Sequence, residues 1–154
     1  MKKQAPSSQR LLQNKLIGNL VYYYGFLQAL HLIALIIASL QYVKSVSIAL
    51  LAPPPSQDWT QQSLYFFLTM GVVDAINAIL SFVFVGKFIK GSYSASIWGM
   101  IVLTVSMYSA VIYLFPVLMS GAFLENIFTY SLIGILFLPI IVLYFLIIKK
   151  ILTD

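Results

Sequence analysis

The fold of this chain is decided by an uninterrupted apolar run, NIFTYSLIGILFLPIIVLYFLII, residues 126–148, which is followed at once by Lys149 and Lys150. No charged residue occurs within this run. About 20 predominantly apolar residues are enough for a helix to cross the hydrocarbon core of a bilayer. The run therefore predicts a transmembrane helix, and Pro139 is the expected site of a kink in it.

Three more apolar segments of spanning length precede this run, at about residues 16–40, 63–86 and 95–119. The composition agrees, because 61% of the residues are hydrophobic and 8% are charged, whereas a soluble domain carries about 25% charged residues. We therefore predict an all-α integral membrane protein. It would be a four-transmembrane-helix bundle over residues 16–154, preceded by a basic tail over residues 1–15.

The positions of the basic residues predict the orientation of the bundle. The chain has 9 Lys and Arg residues against 4 Asp and Glu, which gives a net charge of +5. Cytoplasmic segments of membrane proteins are enriched in Lys and Arg. An N-in/C-in topology leaves only Lys44 outside and places every other basic residue in the cytoplasm: Lys2, Lys3, Arg10, Lys15, Lys87, Lys90, Lys149 and Lys150. We therefore expect a multi-pass protein of the cell (cytoplasmic) membrane, with a cytoplasmic basic tail.

Several classes of chemistry are not expected from this sequence. It has no cysteine and one histidine, and it contains neither a glycine-rich phosphate loop nor an HExxH metal motif. No basic patch interleaved with aromatic residues points to a nucleic acid. The chain lacks the cysteines of thiol-oxidising four-helix membrane enzymes and the first-span glutamate of small multidrug-resistance exporters, so it resembles neither family. We expect no enzyme activity, no metal and no cofactor, and the missing cysteine favours a prokaryotic source.

The most informative residue is Asp74, near the middle of the second span in the sequence GVVDAINAIL, residues 71–80. An acidic side chain at this depth costs several kcal/mol, so it should face protein or water rather than lipid. Asn77 lies beside it, and small residues share its helical face: Gly71, Ala75, Ala78 and Ser81. Two interpretations stay open, a proton or cation site and a polar helix-packing seam.

A second polar group lies in the first span, where Tyr24, Gln28 and His31 share one helical face. A rise of about 1.5 Å per residue places His31 about 21 Å and Asp74 about 18 Å from the cytoplasmic ends of their spans. The two side chains could therefore meet if the first two spans are neighbours. Such a pair could serve as a proton relay or contact a quinone-type headgroup, or it could simply lock two helices together.

The third span has the small-xxx-small pattern of closely packed membrane helices, with Ala95 and Gly99 at its start and Ser106 and Ala110 further on. Hydroxyl groups in such helices often bond carbonyls of their own backbone. This pattern indicates helix packing rather than a reaction.

Three functions are compatible with these residues. The first is a small accessory or structural subunit of a larger membrane complex, such as an electron-transfer or transport assembly. The alternative is a homo-oligomeric transporter or channel that moves protons or cations past Asp74. A redox-cofactor or quinone-binding membrane protein is the third. The expected partners are the lipid bilayer and either other membrane subunits or further copies of this chain.

Overall fold

The computed structural model describes residues 14–45, 61–119, 124 and 127–153. Over these residues the chain forms four long helices, each long and apolar enough to cross a membrane. The helices are α1 (Lys15–Ser45), α2 (Gln61–Ile89), α3 (Ala95–Met119) and α4 (Ile127–Thr153). The prediction of four apolar helices of spanning length is confirmed, and it fits a multi-pass membrane protein.

Three of the helices extend beyond the predicted spans. α1 continues past Leu40 to Ser45, α2 is longer at both ends, and α4 continues to Thr153. Apolar length marks only the part that suits hydrocarbon, whereas helical hydrogen bonding continues through polar residues such as Lys44. The predicted tail up to residue 13, the part of the long connection over 46–60, and Asn126 lie outside the described residues.

Local signals in the sequence set two of the helix ends. At the start of α1, Asn14 Oδ1 accepts hydrogen bonds from the N–H groups of Leu16 (3.1 Å) and Ile17 (3.4 Å), as an N-cap residue does. At the end of α2, Gly91 has a φ of 63°, a left-handed conformation that suits glycine. The N–H of Ser92 then donates to the carbonyl of Lys87 at 2.9 Å, which completes a Schellman turn.

The four helices form a ring in sequence order. α1 packs against α2 and α4, and α3 packs against the same two helices. α1 and α2 are antiparallel, because Gly25 of α1 lies against Val85 whereas Leu35 lies against Gly71. α2 and α3 are antiparallel too, because Phe84 lies against Gly99 whereas Asn77 contacts Ser106. We call the end where α1 begins and α2 ends the basic end, since it carries Lys15, Lys87, Lys90, Lys149 and Lys150.

Close packing near the basic end depends on the start of α3. A Cβ atom on Gly99 would lie 2.7 Å from Phe84 Cε2 and 2.9 Å from Ile147 Cδ1, so only glycine fits there without a shift. Ala95 is also buried. Around them lies a core of apolar side chains from all four helices: Ile17, Val21, Phe84, Phe88, Val102, Leu103, Leu143 and Ile147.

α4 continues as one helix through Pro139. A proline ring removes one backbone hydrogen bond and displaces carbonyls of the preceding turn. The hydroxyl of Tyr23 on α1 donates to the carbonyl of Leu136 at 2.8 Å. A neighbouring helix thereby supplies a donor to the turn that the proline disturbs, as membrane helices require.

Candidate functional site

Polar side chains from α1, α2 and α3 are stacked in three layers in the middle of the bundle. The first layer contains Tyr24 and Ser81, which are in contact, and the second contains Gln28, Asn77 and Ser106. The third contains His31 and Asp74, which are in contact, and we assign Ser109 to it from the helix register. Asp74 and Ser109 are level with each other because each lies three residues beyond the Asn77–Ser106 contact on an antiparallel helix. α4 closes the fourth side with buried apolar residues, Ile140 and Leu143.

The first two layers form one connected hydrogen-bond network. The Tyr24 hydroxyl lies 2.7 Å from Ser81 Oγ and 2.9 Å from Ser106 Oγ. Asn77 Nδ2 donates to Ser106 Oγ at 2.9 Å, and Gln28 Nε2 donates to the same oxygen at 3.4 Å. Ser106 is therefore the hub at which three helices meet.

The direction of the donors in this network follows from counting hydroxyl hydrogens. Ser81 Oγ donates to the backbone carbonyl of Asn77 at 2.7 Å, and a serine has only one hydroxyl hydrogen. The two short contacts then have Tyr24 as the donor to Ser81 and Ser106 as the donor to Tyr24, and the Val102 carbonyl lies 3.4 Å from the Tyr24 hydroxyl as a weaker acceptor. The chain of hydroxyl donors ends on a backbone carbonyl, which cannot pass a proton on.

Among the residues that the structure describes, two buried side-chain atoms of the polar core have no hydrogen-bond partner. They are Asn77 Oδ1 and Ser109 Oγ, on side chains that are 4% and 8% exposed. A buried polar atom left without a partner costs about 1–3 kcal/mol. Both atoms lie in the second and third layers, on the side of the network away from the basic end.

The third layer holds an ion-pair contact between α1 and α2. His31 Nε2 lies 3.5 Å from Asp74 Oδ2, and the two side chains are 46% and 23% exposed. The exposure of His31 is unexpected from its position on the helix. Buried residues recur along one face of α1 at spacings of four, three and four: Ile17, Val21, Tyr24 and Gln28. His31 is the next residue in this series, so it faces the core.

A matching exposure occurs on α4. The buried residues of α4 recur at spacings of three and four: Ile147, Leu143 and Ile140. The next two positions at this spacing are Leu136 and Ile133, which are 42% and 47% exposed. His31 on α1 and Leu136 and Ile133 on α4 are therefore exposed at core-facing positions. Ala38, further along the α1 series, is buried. We call the exposed surface formed by His31, Ile133 and Leu136 the open seam.

The structure divides the predicted site residues into two groups. His31 and Asp74 meet at the open seam, whereas Tyr24, Gln28 and Asn77 belong to the buried network. Ser81, expected only to allow close packing, is a member of that network, whereas Ala78 is buried beside it and Gly71 and Ala75 are partly buried.

Ser106 and Ser109 were missed as members of the site. The expectation that third-span hydroxyls bond their own backbone is wrong for Ser106, whose hydrogen bonds run to the other helices. Their spacing of three residues, at the level of Asn77 and Asp74, is the signal that could have found them.

Comparison with known protein families, with curated proteins and with solved structures finds no match to this chain. Among the described residues, no group of three or more His, Asp or Glu side chains could hold a metal ion. The geometry of the polar layers is therefore the basis on which the function is proposed.

Proposed function

We propose that this chain is a small non-catalytic subunit of a larger membrane assembly, inserted with both termini on the cytoplasmic side. The observation that carries the proposal is the exposure of the His31–Asp74 pair at mid-helix height on the open seam. Ionisable side chains within a membrane almost always face protein or a water-filled cavity. A lone bundle would present this pair to hydrocarbon, so we propose that a transmembrane segment of a partner subunit packs along the seam.

The distribution of charge supports the proposed orientation. Five of the six lysines among the described residues lie at the basic end, and only Lys44 lies at the other. Lys87 Nζ lies 5.8 Å from the ring centre of Trp98, a residue type that favours the membrane–water interface. An interfacial basic end facing the cytoplasm follows the positive-inside rule.

The transport alternative receives less support from the same geometry. A path past Asp74 would have to continue toward the basic end through the first layer. There the donors end on the carbonyl of Asn77, and the described core beyond it consists of apolar side chains such as Val21 and Phe84. Neither feature offers a proton or a cation a polar route.

The proposal can be tested by cross-linking from the seam, because the chain has no cysteine of its own. A benzophenone maleimide attached to Ile133→Cys in native membranes should cross-link to one discrete partner protein. Ile135→Cys is the matched control, since Ile135 is on the same helix and is 62% exposed but lies outside the core-facing series. Equal, diffuse cross-linking from both positions would contradict a specific partner at the seam.

A further inference from the structure

We infer that the third layer binds a monovalent alkali cation between Asp74 and Ser109, with Asn77 as a further oxygen ligand. This inference goes beyond the proposed function and is independent of which protein closes the seam. It starts from the two buried oxygens that have no partner, Asn77 Oδ1 and Ser109 Oγ. Both lie within one helical turn of the Asp74 carboxylate, a distance of about 5 Å along the bundle axis.

The types of atom at this site suit an alkali cation. Hard cations are bound by carboxylate, amide and hydroxyl oxygens, which are the groups that Asp74, Asn77 and Ser109 provide. The hydroxyl of Ser109 can turn between staggered positions toward the carboxylate. Imidazole and thiolate ligands, which favour zinc and copper, are limited to His31, since the chain has no cysteine.

The charge of the site favours a monovalent ion over a divalent one. Asp74 is the only acidic residue among those that the structure describes, so the site offers a single negative charge. One bound sodium or potassium ion would neutralise it, whereas a calcium ion would leave a net positive charge in an apolar bundle, which is costly. The imidazole of His31 touches Asp74 Oδ2 and would compete with the cation for that oxygen.

The same geometry closes the third layer on the side of the basic end. The core-facing residues Ile133 and Leu136 are exposed, and they lie in the half of the bundle away from the basic end. On the other side, the hydrogen-bond network and the apolar core close the bundle. Any exchange of ions at the site would therefore take place from the side away from the basic end.

Thermal unfolding of the purified full-length chain in detergent tests the inference, with sodium, potassium and choline chloride compared at equal ionic strength. An ion that binds only the folded state raises its unfolding temperature. We expect sodium or potassium to raise this temperature above its value in choline. Asp74→Asn should abolish the increase, and Ser109→Ala should weaken the apparent cation affinity roughly tenfold.

Two further variants separate cation binding from general effects on stability. Ser39→Ala removes a hydroxyl that bonds its own backbone on an exposed helix face, so its response to sodium should equal that of the wild type. His31→Gln removes the imidazole that touches Asp74 Oδ2 and should retain or strengthen the response. An unfolding temperature that is the same in all three chlorides, or a full response in Asp74→Asn, would overturn the inference.

Direct binding of radioactive sodium covers the case in which Asp74→Asn does not fold. The wild type should bind sodium at one saturable site, and Ser109→Ala should bind it more weakly than Ser39→Ala. Equal binding by these two serine variants, or no saturable binding to the wild type, would show that the third layer is not a cation site.

Discussion

The imidazole Nε2 of His31 lies 3.5 Å from the Asp74 carboxylate, and this contact joins α1 to α2 where the core meets the open seam. One layer closer to the basic end, Asn77 and Ser106 are buried. Within one helical turn, the polar core thus changes from a closed hydrogen-bond network to the partly exposed His31–Asp74 contact. The buried network stabilises the bundle, whereas the third layer can interact with other molecules.

Replacing the hub of the network should destabilise the bundle. Ser106→Ala leaves Asn77 Nδ2 and the Tyr24 hydroxyl without the oxygen that they share. We expect the free energy of unfolding to fall by about 1–3 kcal/mol, the cost of leaving buried polar groups unpaired. Unfolding in mixed detergent micelles measures the loss. Ser39→Ala should change stability little, and an equal loss in the two variants would contradict the role of Ser106 as a hub.

Two glycines should respond to alanine in opposite directions. A Cβ on Gly99 would collide with Phe84 and Ile147, whereas a Cβ on Gly18 has no atom within 4 Å. Gly99→Ala should therefore lower the free energy of unfolding by about 1–3 kcal/mol through overpacking. Gly18→Ala should raise it by up to about 1 kcal/mol, because alanine is the better helix former. The same unfolding assay compares them, and the reverse order would show that the helices do not pack as described.

The hydrogen bond from Tyr23 to the Leu136 carbonyl should matter because Pro139 disturbs that turn. Tyr23→Phe should lower the free energy of unfolding by about 0.5–1.5 kcal/mol. In a Pro139→Ala background the loss should be smaller, since without the proline ring the turn is no longer displaced and the Leu136 carbonyl can bond fully to the N–H of Ile140. A double-mutant cycle measures the difference. Tyr22→Phe, at an exposed neighbouring residue, is the control, and a coupling energy of zero would refute the link.

The proposed orientation can be tested without altering any charge. Val43 and Tyr93 are 80% and 75% exposed and lie at opposite ends of the bundle. A membrane-impermeant maleimide added to intact cells should label Val43→Cys at once. Tyr93→Cys should react only after the membrane is disrupted. The opposite labelling pattern would show that the chain is inserted the other way round.

Helix number and approximate length could be predicted from this sequence because both depend on local composition. The apolar run of residues 95–119 coincides with α3. The limits of α1 were predicted less well, since the helix extends from the apolar segment through Gln41 and Lys44. Nothing in hydropathy marks such an extension, because the helical hydrogen bonds there are made by polar residues too.

The candidate site was predictable only in part. Asp74 and His31 stand out because an ionisable group is costly within an apolar span. Ser106 does not, since a serine in a membrane helix can satisfy its hydroxyl on its own backbone, and only the packing of three helices shows that it does otherwise. The open seam could not be predicted from the sequence either. Leu136 and Ile133 are apolar residues at core-facing positions, and a fully closed bundle would have the same residue types there.

The most direct test of the central claim is gentle extraction from native membranes, followed by native electrophoresis and mass spectrometry of the band that contains this chain. We predict that larger membrane proteins will be found with it in a fixed ratio. We also predict that the protein cross-linked to Ile133→Cys will be one of them. A band that contains this chain alone, as a monomer or a symmetric oligomer, would contradict its role as a subunit of a larger assembly.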